Sequence, residues 1–190
     1  MLLFNKFYSP LETTSTEQGK RILIIRHAKS TWDISSLSDF ERPLNDRGKK
    51  DATEMARRLL NKKISIDAFI SSPAKRARKT ATLFCEKYGR KESEITLVPE
   101  LYHAPAELFF EVVKDFKDKD QTVAIFSHNP GISDFVNQLV KNVRLDNMPT
   151  CGVFAVNIPI NHWADFAKAE KDLWFFDYPK NLEEQSQRSS

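Results

Sequence analysis

The sequence predicts an α/β fold with a mostly parallel central sheet. Three short runs of β-branched and other apolar residues are typical of strands buried on both faces of such a sheet: residues 21–25 (RILII), 66–71 (IDAFIS) and 122–127 (TVAIFS). The segments between these runs carry apolar residues at helical spacing. Strands and helices therefore alternate along the chain, which favours parallel strands joined by helices.

Each predicted helix rests on apolar side chains that recur every three or four residues. The second helix has its own boundary signals, because Ser72 suits an N-cap, Pro73 a first helical position and Gly89 an end. Apolar positions between residues 52 and 60 and between 108 and 116 mark two helices, and two more are predicted at about 74–88 and about 132–140. Three further apolar runs predict later strands at residues 95–98, 153–158 and 173–176.

Composition and length narrow the class of protein. The chain has 190 residues, of which 41% are hydrophobic and 29% charged, as in ordinary globular proteins. We expect a flexible N-terminal segment (1–20), a single domain (21–180) and a polar tail (181–190). No apolar run is long enough for a bilayer or a secretory signal, so we expect a cytoplasmic protein with no membrane partner. A net charge of +3 is too small to indicate nucleic-acid binding, and two distant cysteines suggest neither zinc nor a disulfide.

Two arginines and two histidines, residue types that bind phosphate or act as nucleophiles, follow the three predicted core strands. Arg26 and His27 end the first strand, Arg76 follows the second within one helical turn, and His128 ends the third. Ligands of open parallel sheets bind beyond the carboxyl ends of the strands. These four side chains could therefore surround one small anion, provided that the chain leaves the strand at Arg26 and His27, since neighbours in a strand point to opposite faces.

The chemistry of these residue types suggests phosphoryl transfer. A neutral imidazole can attack phosphorus, and nearby guanidinium groups favour the neutral form. The same guanidinium groups stabilise the charge on the phosphoryl oxygens, so no metal or other cofactor is required. Arg76 near a helix N-terminus is well placed for two-point binding of phosphate.

An ordered set of motifs resembles the histidine phosphatase superfamily, and within it the SixA-like phosphohistidine phosphatases. The motifs are RHAKSTWD (26–33), SDFERPLNDRG (38–48), SSPAKRARKTA (71–81), PELYHA (99–104) and SHNPG (127–131), and the similarity runs through WFFDYPK (174–180). The resemblance implies a three-layer α/β/α, phosphoglycerate mutase-like fold. It also implies His27 as the phosphorylated nucleophile, His128 as the second pocket histidine, and Arg26 and Arg76 as phosphate ligands, with Ser30 as a further candidate.

Two positions depart from the pattern of that superfamily. Ala28 stands where a glycine usually follows the RH pair, and His103 stands where many members have a carboxylate acid. His103 is therefore a candidate proton donor, with Glu100 close to it in sequence. A substrate with a phosphorus–nitrogen bond would need less help from an acid, so the expected partners are a phosphohistidine protein or a small phosphorylated molecule.

Several other functions share parts of this pattern. The sequence DKDQT (118–122) matches the DxDxT of magnesium-dependent phosphatases, but it precedes its strand rather than ending it. A mutase would need a long lid for which the motif spacing leaves no room, and a catalytically weak phosphate- or phosphoprotein-binding module would keep the same pocket. A basic docking surface for an acidic protein is a further possibility, with the candidates Lys29, Lys49, Lys50, Arg57 and Arg58.

Overall fold

A computed structural model describes residues 19–31 and 37–181 of the protein. The expected N-terminal segment and polar tail lie almost entirely outside these described residues. Six strands form one sheet: β1 (Lys20–Arg26), β2 (Ala68–Ser71), β3 (Ile95–Leu97), β4 (Thr122–Ser127), β5 (Val153–Ile158) and β6 (Asp172–Asp177). Four α-helices lie between them: α1 (Asp46–Asn61), α2 (Lys75–Lys87), α3 (Ala106–Lys114) and α4 (Gly131–Leu139).

The strand order is β3-β2-β4-β1-β5-β6. The first four strands run parallel, whereas β5 and β6 are antiparallel to their neighbours. The predicted α/β class with a mostly parallel sheet is confirmed, and each predicted strand and helix is present. Antiparallel pairing at β5 is compatible with its mainly apolar sequence, because its apolar residues on both faces of the strand are buried.

Helices cover both faces of the sheet and give the three layers. Along β1, Ile22 and Ile24 belong to the core cluster that includes α3 and α4. Leu23 and Ile25 belong to the cluster that includes α1 and α2. Successive strand side chains point to opposite faces, so one buried strand contributes to two cores.

Two helices begin at residues that differ from the prediction. Helix α1 begins six residues before Ala52, the first of the apolar residues that predict it, because the Asn45 side chain accepts a hydrogen bond from the Gly48 amide at 2.8 Å and caps it. Helix α2 starts at Lys75, so the predicted N-cap at Ser72 and first position at Pro73 are wrong. The Ser72 hydroxyl instead contacts His128 Nε2 at 2.8 Å and also accepts from the Ala74 amide at 3.3 Å.

The DKDQT segment lies away from the carboxyl ends of the strands. It occupies the turn that leads into β4, where the Asp118 carboxylate accepts hydrogen bonds from the Trp163 amide and from His162, each at 2.8 Å. The aspartate is thus a structural cap at the opposite end of the strand from His128. This position agrees with the interpretation that the motif does not mark an aspartate nucleophile.

Candidate active site

The four anion-binding residues predicted at the strand ends converge on one pocket of about 220 Å³. It lies at the carboxyl ends of β1 and β4 and beside the start of α2. Its walls also include residues that the sequence did not single out as ligands. The lining consists of Arg26, His27, Lys29, Ser30, Asp39, Arg42, Arg76, His103, His128, Asn129 and Thr150.

His27 lies where the chain leaves β1. Its amide donates to the Ser127 carbonyl at 3.0 Å, and the next amide, that of Ala28, donates to the Thr80 hydroxyl at 3.0 Å. The imidazole Nδ1 lies 2.8 Å from the Ala28 carbonyl oxygen. Because a carbonyl can only accept, we assign the proton to Nδ1, which leaves the lone pair on Nε2.

The His27 ring is held neutral by its surroundings. The side chain is buried, and burial together with the charges of Arg76 and Arg26 lowers the pKa of His27 to about 3, although the hydrogen bond to Ala28 acts in the opposite direction. Nε2 accepts a hydrogen bond from Arg76 Nε at 3.2 Å. The atom with the lone pair is therefore in direct contact with a guanidinium group.

Arg76 is almost fully buried and is held by the segment that precedes α1. Nη1 donates to the Asp39 carbonyl at 2.5 Å, and Nη2 forms an ion pair with the Asp39 carboxylate at 2.9 Å. The segment is anchored by backbone contacts, since Phe40 accepts from the Lys75 amide at 3.0 Å and Leu44 forms a bridge with Ser30. Asp39 lines the pocket and lies within the SDFERPLNDRG motif, but its sequence context alone indicates no role for it.

Asp39 is the centre of a polar cluster. Its carboxylate lies 3.1 Å from Arg42 and accepts a hydrogen bond from the Tyr102 hydroxyl at 3.0 Å. Partial burial opposes its ionisation, but the hydrogen bonds from Tyr102 and Arg76 outweigh burial and lower the pKa of Asp39. The group is therefore a carboxylate at neutral pH and has no proton to donate.

His128 lies beside His27, with ring centroids 5.1 Å apart. Nε2 contacts the Ser72 hydroxyl at 2.8 Å, whereas Nδ1 is buried and has no hydrogen-bond partner among the described residues. Burial, followed by the proximity of His27 and Arg76, lowers the pKa of His128 to about 2. A buried polar atom without a partner is costly, so Nδ1 is well suited to contact a ligand.

Arg26 lines the pocket from the end of β1. Nη1 donates to the Met148 carbonyl at 2.5 Å and to Asn147 at 3.3 Å, while Nε is buried without a hydrogen-bond partner among the described residues. Burial and the charge of Arg76 lower the pKa of Arg26. Two guanidinium groups therefore share one small, partly buried site, which is an arrangement that an anion stabilises.

His103 and Ser30, the other two residues predicted for the site, also line the pocket. The His103 side chain is 60% exposed, packs on Tyr102 with ring centroids 4.0 Å apart, and has Nε2 3.7 Å from the Asp39 carboxylate. Its backbone φ is +55°, an uncommon conformation outside glycine. Ser30 is buried beside the bridge to Leu44. Glu100 is exposed and lines a different groove, so it does not face this pocket.

Four of the five basic residues considered as a docking surface have other contacts or line the pocket. Lys29 lines the pocket, Lys49 pairs with Asp46 at 3.0 Å, and Arg57 pairs with Glu54. Arg58 donates to the carbonyls of Tyr178 and Pro179 at 3.2 and 3.0 Å. Arg58 therefore anchors the chain after β6 rather than presenting its charge to a partner.

Comparison with known proteins supports the family resemblance. The sequence model of the histidine phosphatase superfamily (branch 1) matches residues 22–104. An uncharacterised chloroplastic protein of Arabidopsis thaliana is 29% identical over 170 residues, which cover 84% of this chain and 77% of that protein. The resemblance to this superfamily that the motifs indicate is confirmed by the family match.

The solved structures share the fold. The protein histidine phosphatase SixA complexed with tungstate is 22% identical, has a TM-score of 0.72 and covers 85% of this chain and 99% of that chain. A mutant phosphoserine phosphatase of Entamoeba histolytica in complex with phosphoserine is 16% identical, with a TM-score of 0.60 and coverage of 86% and 99%. The three-layer, phosphoglycerate mutase-like fold is therefore confirmed, and the family match supports phosphatase activity.

No helix in the described parts of the chain is both long and apolar enough to cross a bilayer.

Proposed function

We propose that this protein hydrolyses phosphoryl groups through a covalent intermediate on His27 Nε2, without a metal ion. The observation that carries the proposal is the arrangement of one ring: Nδ1–H is bound to the Ala28 carbonyl at 2.8 Å, and Nε2 lies 3.2 Å from Arg76. This arrangement orients the lone pair toward the cation that would hold the phosphoryl group. A pKa of about 3 keeps the ring neutral at any physiological pH.

The phosphate would be bound by groups from three elements. Arg26 and Arg76 supply charge, and His128 Nδ1, which is buried without a partner among the described residues, supplies a further contact. A phosphate dianion beside His128 favours the protonated ring, so binding would allow Nδ1 and Nε2 both to donate. Ser30 and Arg42 line the same pocket and are further candidates for the phosphoryl oxygens.

The reaction would proceed in two displacements. Nε2 attacks phosphorus, the bond from phosphorus to the leaving group breaks, and the leaving group takes up a proton. Water then attacks the phosphohistidine and returns one proton to the group that protonated the leaving group, the phosphorus–nitrogen bond breaks, and inorganic phosphate and the neutral imidazole are released. Guanidinium groups stabilise the charge on the non-bridging oxygens in both steps.

The proton donor we propose is His103. Asp39 is held as a carboxylate and cannot donate, and Glu100 lies outside the pocket. His103 Nε2 lies 3.7 Å from the Asp39 carboxylate, and its side chain lines the pocket. An exposed histidine is a less effective general acid than a buried carboxylic acid. It therefore suits a leaving group that needs little protonation. Protein phosphohistidine is therefore the substrate class we favour, ahead of a small phosphate ester. The cytoplasmic location expected from the sequence stays a prediction.

The test is phosphate release from a phosphohistidine protein and from an aryl phosphate in excess EDTA. We expect wild-type activity to survive EDTA and His27→Ala to abolish it, while His162→Ala, which alters an exposed histidine at the other end of the sheet, keeps it. Loss of activity in EDTA would reject the metal-free site. If wild type releases no phosphate but inorganic phosphate raises its Tm, the phosphate-binding module is the better description.

A further inference from the structure

Ser72 is fully buried behind the candidate active site and contacts the ring of His128. Its hydroxyl oxygen lies 2.8 Å from His128 Nε2, and the contact joins two strand ends, because Ser72 follows β2 and His128 follows β4. The lining of the pocket includes His128 but not Ser72. We therefore expect any effect of Ser72 on a bound anion to pass through His128.

The direction of this hydrogen bond follows from the other contact of the hydroxyl. A serine hydroxyl has one proton to donate and two lone pairs that accept. The Ala74 amide donates to the Ser72 oxygen at 3.3 Å, which uses one lone pair. Among the described residues, the acceptor within reach of the hydroxyl proton is His128 Nε2. A buried polar hydrogen without an acceptor is costly, so the Ser72 hydroxyl donates and Nε2 accepts.

This direction determines which nitrogen of His128 carries the proton. Burial lowers the pKa of His128 to about 2, so the ring is neutral and has a single N–H group. Because Nε2 accepts from Ser72, that N–H group is at Nδ1. Nδ1 is the buried nitrogen without a hydrogen-bond partner in the described parts of the chain. The ring that lines the pocket therefore has a donor that still needs an acceptor.

Two ring contacts hold His128 in this orientation. The Tyr102 ring packs edge-on, with centroids 5.7 Å apart and planes at 83°, and the His27 ring lies 5.1 Å away with planes at 51°. A half-turn of the His128 ring would place carbon Cε1 where Nε2 lies and would remove the acceptor of the Ser72 hydroxyl. Packing and the hydrogen bond therefore favour the same arrangement of the ring.

We propose that Ser72 is a positioning residue that fixes the Nδ1–H tautomer of His128, so that the neutral ring donates a hydrogen bond to the bound phosphoryl group. The inference rests on the proposed function in one respect, which is that a phosphoryl group binds beside His128. The oxygens of a phosphate dianion only accept hydrogen bonds, so an N–H group attracts them and a lone pair would repel them. If anion binding adds a proton at Nε2, Nδ1–H stays in place and the Ser72 oxygen becomes the acceptor.

The first test is the tautomer of His128 in the full chain without phosphate at neutral pH. Two-bond ¹H–¹⁵N correlation spectra of protein labelled with ¹⁵N-histidine distinguish a protonated ring nitrogen from an unprotonated one. The spectrum of His128→Gln identifies the His128 signals among those of the four histidines. We expect a protonated Nδ1 and an unprotonated Nε2. A proton on Nε2, with or without one on Nδ1, would overturn the proposal.

Two neighbouring serines supply matched variants. Ser71 is as fully buried as Ser72, but its hydroxyl donates to the Ser72 carbonyl at 2.8 Å rather than to a histidine. We expect Ser72→Ala to move the His128 proton toward Nε2 and to weaken the binding of inorganic phosphate about five- to tenfold, measured by calorimetry. Ser71→Ala should leave the tautomer and the affinity unchanged. An unchanged tautomer in Ser72→Ala, or equal effects in both variants, would contradict the proposal.

These measurements separate the role of Ser72 from hydrolysis, because neither of them requires turnover. A wild type that binds phosphate but hydrolyses no substrate would contradict the proposed function, and the tautomer would still decide the role of Ser72. A wild type that hydrolyses its substrate with the proton on Nε2 would contradict only the role of Ser72. If unfolding curves show that Ser72→Ala does not fold, Ser72→Cys takes its place, because a thiol is a weak donor.

Discussion

Asp39 and Arg76 form an ion pair across the mouth of the candidate active site, with Arg76 Nη2 2.9 Å from the Asp39 carboxylate. The Asp39 carbonyl accepts a second hydrogen bond from Nη1 at 2.5 Å. The guanidinium that would bind the phosphoryl group is therefore held by a carboxylate, which is negatively charged like the substrate. A phosphate that reaches Arg76 must share the guanidinium with this carboxylate, so Asp39 controls how readily Arg76 accepts an anion.

Replacing Asp39 with asparagine should strengthen the binding of inorganic phosphate. The substitution keeps the size of the side chain and the backbone carbonyl contact but removes a negative charge beside the proposed phosphate site. Because Asp39 is partly exposed, the repulsion is screened, and we expect the inhibition constant for phosphate to fall about five- to tenfold. Product-inhibition kinetics measure this, with Asp46→Asn as an exposed control. Weaker phosphate binding would show that Asp39 chiefly positions Arg76.

Replacing His103 with alanine should affect substrates according to their leaving groups. An alkoxide needs a proton more than a departing imidazole does, so we expect kcat for an alkyl phosphate ester to fall about 10²-fold. The cleavage of phosphohistidine should fall much less. Steady-state rates on both substrates give the ratio. Equal losses would remove the support for His103 as proton donor and for the preference for phosphorus–nitrogen bonds.

The stability of the protein should fall as the pH is lowered from about 7 to about 4. The folded state keeps His27 and His128 neutral, with pKa values of about 3 and about 2, whereas the unfolded chain protonates both near 6.5. The unfolded state therefore binds more protons in this window, and the free energy of unfolding decreases with falling pH. Each histidine contributes at most about 1.4 kcal/mol per pH unit.

Guanidinium chloride unfolding at several pH values measures this slope. His27→Gln and His128→Gln should each make the slope shallower, because each removes one group that protonates only on unfolding. A slope that is the same in wild type and in both variants would show that these rings are protonated in the folded protein. The neutral-nucleophile mechanism would then lose its electrostatic basis.

Gly48→Ala should disrupt the pocket from a distance. A Cβ at position 48 would lie 2.0 Å from the Lys29 carbonyl oxygen, so α1 and the segment after His27 would have to separate. We expect a loss of roughly 1–3 kcal/mol of stability together with a fall in kcat. Gly89→Ala is the matched control, because Gly89 has a φ of +70° but open space around it. That variant should lose stability through backbone strain and keep its activity.

The α/β class, the elements and the central pocket residues could be predicted from the sequence because local patterns encode them. Runs such as RILII and TVAIFS are apolar without alternation only where both faces are covered, and parallel topology brings the carboxyl ends of such strands to one edge. Arg26, His27 and His128 at strand ends, with Arg76 just inside α2, could therefore be assigned to one edge of the sheet from the sequence.

The strand order and the role of Asp39 were decided by tertiary structure. Nothing local at Asp39 differs from a solvated loop aspartate, and its place depends on backbone contacts that tie Phe40 to Lys75 and Leu44 to Ser30. The same holds for Ser72, which was predicted as a helix N-cap but whose hydroxyl contacts His128. Local sequence determines which chemical groups stand at strand ends, but hydrogen bonds between residues far apart in the chain determine which group each of them meets.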